Sequence, residues 1–301
     1  MAKILLSGSH GFVGKRLISC LETRGDQLVC LVRSKEKQSF PSVYWDPLRG
    51  NFSKDAFEGF DTIIHLAGEN IASRRWNKKG KNALFLSRCR DTWLLSQLLT
   101  RLCSPPKTLI TASAVGIYGN RGEEILTEES VPGSGFLADL CIHWESATHA
   151  IEQRGTRVVH TRFGLVLDKE GGMLPKLLPS FILGLGAVLG SGDQIMPWVA
   201  LDDVVGAICH IIDNEQISGP VNVVSPYPVT QKEFAKALAA KLHRRALVKA
   251  PKCILKLLLG QKAEELLFSS QNVQPSKLQK SGYTFLYPHL DEALNRALHL
   301  R

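Results

Sequence analysis

The chain opens on a short apolar run, Ile4-Leu5-Leu6, that leads through Ser7 into Gly8-Ser9-His10-Gly11-Phe12-Val13-Gly14. A strand, a glycine-rich turn and a helix in that order build an anion site from backbone alone. Gly8 allows the chain to leave the strand in a tight turn, and Gly11 has no Cβ to hold a pyrophosphate away. Gly14 lets the helix pack closely on the sheet, while the helix N-terminus, around Phe12 and Val13, points its N–H groups at the phosphates. Phe12, Val13, Leu17, Ile18 and Leu21 recur at helical spacing, so the flanks agree with the glycines. The pattern predicts an α/β chain with a parallel sheet and a dinucleotide over its first turn.

The end of the second strand selects among dinucleotides. Leu28 to Val32 is a continuous apolar run, as in a parallel strand covered on both faces. Where an NAD-binding chain usually carries Asp or Glu for the ribose hydroxyls, this one has Arg33, followed by Ser34 and Lys35. A carboxylate there repels a 2′-phosphate, whereas a guanidinium grips it bidentately. The expected cofactor is NADP(H).

Alternating apolar strands and helical patterns continue to about residue 165, with strands expected at 3–7, 27–33, 42–45, 61–66, 107–112 and 157–163. Leu94, Leu95, Leu98, Leu99 and Leu102 make one helical stripe, ended by Pro105-Pro106. A further helix near 201–213 opens on Asp202-Asp203, and Val221–Val224 reads as another strand. The expected domains are therefore a Rossmann domain over 1–165, with a returning segment near 199–224, and a smaller, mainly helical substrate domain from 166–198 and 225–301.

Only three strongly apolar residues follow Lys3, and the longest uncharged run, Leu177 to Gly192, holds one proline and four glycines. Neither suits a signal peptide or a membrane span, so a cytoplasmic chain with no membrane partner is expected. Seven cysteines form no C-x-x-C pair, which reads as reduced thiols, and the nine histidines show no metal-ligand spacing. The net charge of +9 concentrates in two stretches. Residues 74–90 carry seven Lys/Arg and no acid, and 232–262 carry nine against Glu233 alone. No nucleic-acid motif accompanies them and no aromatics interleave, so no nucleic-acid partner is expected. The first cluster suits a phosphorylated cofactor or an anionic or nucleotide-linked small-molecule substrate; the second reads as a solvated helix face.

Several further stretches carry a family resemblance. They are Asp61-Thr62-Ile63-Ile64-His65-Leu66-Ala67-Gly68-Glu69-Asn70, Arg74-Arg75-Trp76, Ser87-Arg88, and Ser113-Ala114-Val115-Gly116-Ile117-Tyr118-Gly119. Trp144-Glu145, Arg162-Phe163-Gly164-Leu165-Val166-Leu167, Trp198-Val199-Ala200-Leu201-Asp202-Asp203, and a tail from Pro275 to Pro288 follow in order. Together with the glycine turn they resemble the extended short-chain dehydrogenase/reductase superfamily. Within it they are similar to the atypical "epimerase family" proteins, often labelled nucleoside-diphosphate-sugar epimerase or cell-division inhibitor. The resemblance implies that Leu66, Ala67 and Gly68 pass close to the cofactor, that Arg88 grips its hydroxyls or phosphate, and that Ser113 polarises a substrate carbonyl. It places Arg162 and Trp198 in the cofactor and substrate walls.

The superfamily's proton relay is a Tyr-x-x-x-Lys pair on the helix expected over 137–152. Here those positions hold Leu137 and Cys141. Neither supplies a phenol or an ammonium. Tyr118 and Glu69 are the expected replacements, both facing the crevice at the carboxyl ends of the strands, unless Tyr118 only packs and Glu69 only pairs with Arg74 or Arg75. Two readings follow: an NADP(H)-dependent oxidoreductase or epimerase-like enzyme, or a non-catalytic NADP(H)-binding sensor.

Overall fold

Runs of Ile, Leu and Val set the strands, and a computed structural model of the chain places seven of them in one sheet. It describes residues 1–33, 40–47, 53–246 and 248–299; Ser34 and Lys35 lie outside the described residues. The strands are β1 (Lys3–Ser7), β2 (Gln27–Val32), β3 (Ser42–Tyr44), β4 (Thr62–His65), β5 (Thr108–Ala114), β6 (Arg157–Phe163) and β7 (Gly219–Val223). From one edge to the other their order is β7-β6-β5-β4-β1-β2-β3. β1 pairs in parallel with β2 and β4, β2 with β3, and β4 with β5. The register sets Ser7 beside both Leu31 and His65, so the loops after three adjacent strands leave at one level.

The helices are α1 (Phe12–Thr23), α2 (Lys78–Phe85), α3 (Asp91–Leu99), α4 (Phe136–Ser146), α5 (His149–Glu152), α6 (Leu174–Ile182), α7 (Leu201–Asp213), α8 (Gln231–Lys241), α9 (Lys252–Leu259), α10 (Gln261–Leu267), α11 (Ser276–Lys280) and α12 (Leu290–Leu298). The helix expected over 137–152 is interrupted. The Thr148 hydroxyl donates to the Glu145 carbonyl (2.9 Å) and so competes with the helical ladder between α4 and α5. Ser113, expected to end β5, is its penultimate residue.

The chain divides into two compact units. The first comprises Met1–Ser113, Leu140–Thr161 and Ile208–Val221; the second comprises Ala114–Asp139, Arg162–Ala207 and Asn222–Arg301. Leu5, Leu31, Phe57, Ile63, Leu95, Leu99 and Val158 belong to the core of the first. The expected leucine stripe supplies α3's share of it. The core of the second gathers Leu174, Phe181, Trp198, Phe234, Leu238 and Leu294. There Asp202 and Asp203 act as ties. Asp203, fully buried, accepts from the Tyr283 hydroxyl (3.2 Å) and from the Leu286 and Tyr287 amides (2.6 and 2.9 Å), while Asp202 pairs with Arg296. Trp198, expected in a ligand wall, is instead core, its indole N–H donating to the Tyr227 carbonyl (3.1 Å).

Candidate functional site

The strand ends of the first unit open on a cleft of about 610 Å³. Its walls are the turn from Ser7 to Gly11, Leu31 to Arg33 at the end of β2, Trp45 and Pro47 after β3, and His65 to Glu69 at the end of β4. Arg74, Ser87, Arg90 and Asp91 close it from the α2–α3 side.

The turn is held by its glycines. Gly8 sits at φ +79°, and a Cβ there would lie 2.8 Å from the Leu66 carbonyl carbon. A Cβ on Gly14 would lie 2.2 Å from the Gly8 oxygen. The close approach expected between Gly14 and the sheet is thus made with the turn itself, because the first helical turn folds back over Gly8. Gly11 caps α1 without any side-chain acceptor, and no acidic residue stands in the first turn. The amides at the start of α1, where Phe12 and Val13 lie, therefore meet an anion with the helix dipole behind them. Neither Phe12 nor Val13 is among the residues that line the cleft.

Charge arrives from the rim. Arg33 is exposed and lines the cleft, as its position after β2 requires. Arg74 pairs with the Glu69 carboxylate, and Arg90 with Asp91 (2.7 Å). Leu86–Arg90 is a π-helical turn joining α2 to α3, which sends Ser87 and Arg90 to the cleft. Arg88 takes another path. Its Nη2 donates to the Glu69 carbonyl (2.7 Å), its guanidinium lies 5.2 Å from the Trp144 ring centroid, and its stem backs Gly68. Arg88 stands behind the cleft wall rather than on it.

Two buried nitrogens of cleft-lining residues, Trp45 Nε1 and His65 Nε2, have no hydrogen-bond partner, and neither has Arg88 Nη1 behind the wall. His65 Nδ1 lies 2.7 Å from the Ser7 hydroxyl, and burial pushes the imidazole down to about 4, so the ring is neutral. The Trp45 and His65 rings meet edge-on, 6.2 Å between centroids. An orphaned buried donor costs about 1–3 kcal/mol, so polar atoms left waiting at a cleft wall suit a polar ligand. With the Cβ-free turn and the open helix end, these residues fit a dinucleotide. Sequence reading missed Trp45 and Arg90; a tryptophan after a short strand carries no signal, and Arg90 looked like one charge among seven.

Neutral His65 also predicts an acid-side weakness. The unfolded chain takes up this proton near 6.5 and the folded chain resists until about 4. Stability from this group is complete above about 6.5 and is lost as pH falls toward 4, up to about 3 kcal/mol. Urea unfolding at pH 7.5 and 4.5 should show a smaller acid loss for His65→Asn than for the unchanged chain. An equal loss would rule out His65 as the source.

The expected catalytic residues part company. Ser113 is buried, and its hydroxyl donates to Glu145 Oε1 (2.7 Å). Glu69 is the half-exposed partner of Arg74, on the cleft. Tyr118, expected to face the crevice, is fully buried in the second unit. Its hydroxyl donates to Asn222 Oδ1 (2.7 Å) and accepts from Arg162 Nη1 (2.9 Å), and burial raises its pKa. Arg162, expected at the cofactor, lies 5.2 Å from that ring centroid and does not line the cleft. A short turn, Val115–Tyr118, folds the tyrosine inward before it reaches a surface. Leu137 packs beside Gly116, and Cys141 is buried. No phenol–ammonium pair stands on α4.

Such a turn, cleft and sheet define a dinucleotide-binding α/β protein of Rossmann type. The sequence pattern of the NAD dependent epimerase/dehydratase family matches residues 4–224, and that of a domain of unknown function (DUF1731) matches 250–297. The chain belongs to the NAD dependent epimerase/dehydratase family. It is 38% identical over 296 residues to epimerase family protein Mb2239 of Mycobacterium bovis, covering 98% of this chain and 97% of that one. The solved structure of the human epimerase family protein SDR39U1 (isoform2) with NADPH matches with a TM-score of 0.90 at 32% identity, covering 99% of each chain. A nucleoside-diphosphate sugar epimerase structure from Corynebacterium glutamicum matches at 0.82 and 36% identity, with 99% of this chain spanning 58% of that one.

Proposed function

We propose that the chain is an NADP(H)-dependent oxidoreductase or epimerase-like enzyme of the cytoplasm, acting on a small anionic or nucleotide-linked substrate. The observation that carries this reading is Arg33 on the cleft wall, where an acidic residue would favour NAD. The NADPH in the human relative's structure supports it. Gly8, Gly11, Gly14 and the amides of Phe12 and Val13 would hold the pyrophosphate, Leu66-Ala67-Gly68 would flank the ribose, and Arg33 would meet the 2′-phosphate. The bound cofactor would supply hydride chemistry. On the protein side, Glu69 is the titratable group of the cleft best placed to move a proton, and Arg74 holds it in place.

A second reading, an NADP(H)-binding sensor without turnover, is favoured by Leu137 and Cys141 on α4 and by the engaged Ser113 hydroxyl. The unmodified protein should bind NADPH more tightly than NADH. Arg33→Asp should reverse the order, weakening NADPH by roughly 10- to 150-fold for about 1.5–3 kcal/mol of lost charge-assisted contact. Cofactor fluorescence titration reads both, and equal affinities in the unmodified protein would end the NADP(H) assignment.

Slow turnover is compatible with both readings, and only a robust rate separates them. General acid–base help is worth about 10²–10⁴-fold, so turnover on ordinary alcohol and sugar-nucleotide substrates should be weak or undetectable at the NADPH absorbance band. Robust turnover on any of them refutes this expectation and decides for the enzyme; its loss in Glu69→Gln would then identify the acid.

A further inference from the structure

The second basic stretch acquires a different meaning once folded. α9 has no buried residue. Leu257 and Leu258 on it are 87% and 71% exposed, and Ile254 and Leu259 are also exposed. Just beyond α6, Leu183 is 73% exposed, with Ile182 and Leu185 beside it in the chain. The run after α6 leads into one end of a short parallel ladder, and α9 starts beyond the other end. Ala187–Leu189 pairs in parallel with Val248–Ala250, the Gly190 amide donates to the Ala250 carbonyl (2.9 Å), and Arg244 Nε donates to the Ile182 carbonyl (2.9 Å). Around them Arg244, Arg245, Lys249 and Lys252 are exposed, and among the described residues none of these four pairs with a carboxylate. The nearby acids are engaged: Glu264 pairs with Lys256, and Glu265 accepts from the Phe136 and Leu137 amides.

We propose that the apolar ridge of α9 seats the protein on a bilayer surface rich in anionic lipid. Leucine and isoleucine flanked by lysine and arginine is the composition of a helix lying in the headgroup boundary. The positive rim complements anionic headgroups. A second copy of the chain is a poor occupant, because a two-fold contact would set one cationic rim against another. A protein partner would favour aromatic anchors set in pockets, whereas this ridge carries aliphatic side chains that project. No helix among the described residues is long and apolar enough to cross a membrane. The expectation of no membrane partner weighed spanning segments; an interfacial helix needs no such length.

The test is co-sedimentation of the full chain with vesicles of equal parts phosphatidylcholine and phosphatidylglycerol, and with phosphatidylcholine alone. Binding is expected to the mixed vesicles, at least tenfold weaker to the neutral ones, and to fall with added salt. The double variant Leu257→Glu with Leu258→Glu should lose at least tenfold in vesicle binding while keeping its circular dichroism spectrum and NADPH affinity. Arg244→Glu with Arg245→Glu should weaken binding to mixed vesicles alone. Absence of binding, or binding indifferent to the leucines, overturns the proposal. A concentration-dependent dimer abolished by the leucine changes assigns the ridge to a second copy. Equal binding of soluble polyglutamate, unaffected by those changes, assigns the basic rim to an acidic protein.

Discussion

Gly11→Val is expected to abolish NADPH binding, with at least a 100-fold rise in Kd, about 2.8 kcal/mol, while the protein stays folded. Gly11 has φ −71° and ψ 159°, extended backbone that valine adopts readily. Its Cβ would lie 3.2 Å from the Gly8 oxygen, a contact relieved by a shift of a few tenths of an ångström. The new side chain would stand where the pyrophosphate must approach the helix end. Gly14→Val is the contrasting control. With a Cβ 2.2 Å from the Gly8 oxygen, it should damage the turn itself, lowering stability as well as affinity. Fluorescence titration beside circular dichroism separates the two outcomes, and retained affinity in Gly11→Val would show that the cofactor does not lie over this turn.

The other large effect concerns stability. Asp203→Ala would leave the Leu286 and Tyr287 amides without their acceptor, while the Tyr283 hydroxyl keeps its bond to the backbone carbonyl of residue 203 (3.0 Å). Each of the two stranded donors costs about 1–3 kcal/mol, so a total loss of about 2–6 kcal/mol and a fall in Tm on the order of 10 °C are expected. Asp203→Asn, which keeps one carbonyl oxygen, should lose roughly half as much. Calorimetry of the three proteins decides it; an alanine variant within 1 kcal/mol of the unchanged protein would show that the tail is anchored elsewhere.

The glycine turn, the strands and Arg33 were legible in the sequence because each is a local statement. Strand, turn and helix are contiguous, and a side chain just past a buried strand faces the strand-end cleft whatever the rest does. Tyr118, Arg162 and Trp198 were misplaced because their direction depends on distant chain. Tyr118 turns inward to meet Asn222, and Trp198 to meet the Tyr227 carbonyl; no periodicity announces either meeting. Asp202-Asp203 was legible as a helix start but not as an anchor, since its partners lie about eighty or more residues away. The basic residues of 232–262 illustrate the same gap in another form. α8 is the solvated face expected, with Lys232 and Lys236 exposed, but α9 adds aliphatic exposure that composition averages away.

One contact bears on which oxidation state of a substrate this chemistry would welcome. The Ser113 hydroxyl gives its hydrogen to Glu145 Oε1, so Ser113 meets any further partner with its oxygen lone pairs. The strand end is thereby inverted in polarity: it attracts an O–H or N–H and offers nothing to a carbonyl. An alcohol or amine would be oriented there by the serine oxygen, and a ketone would not.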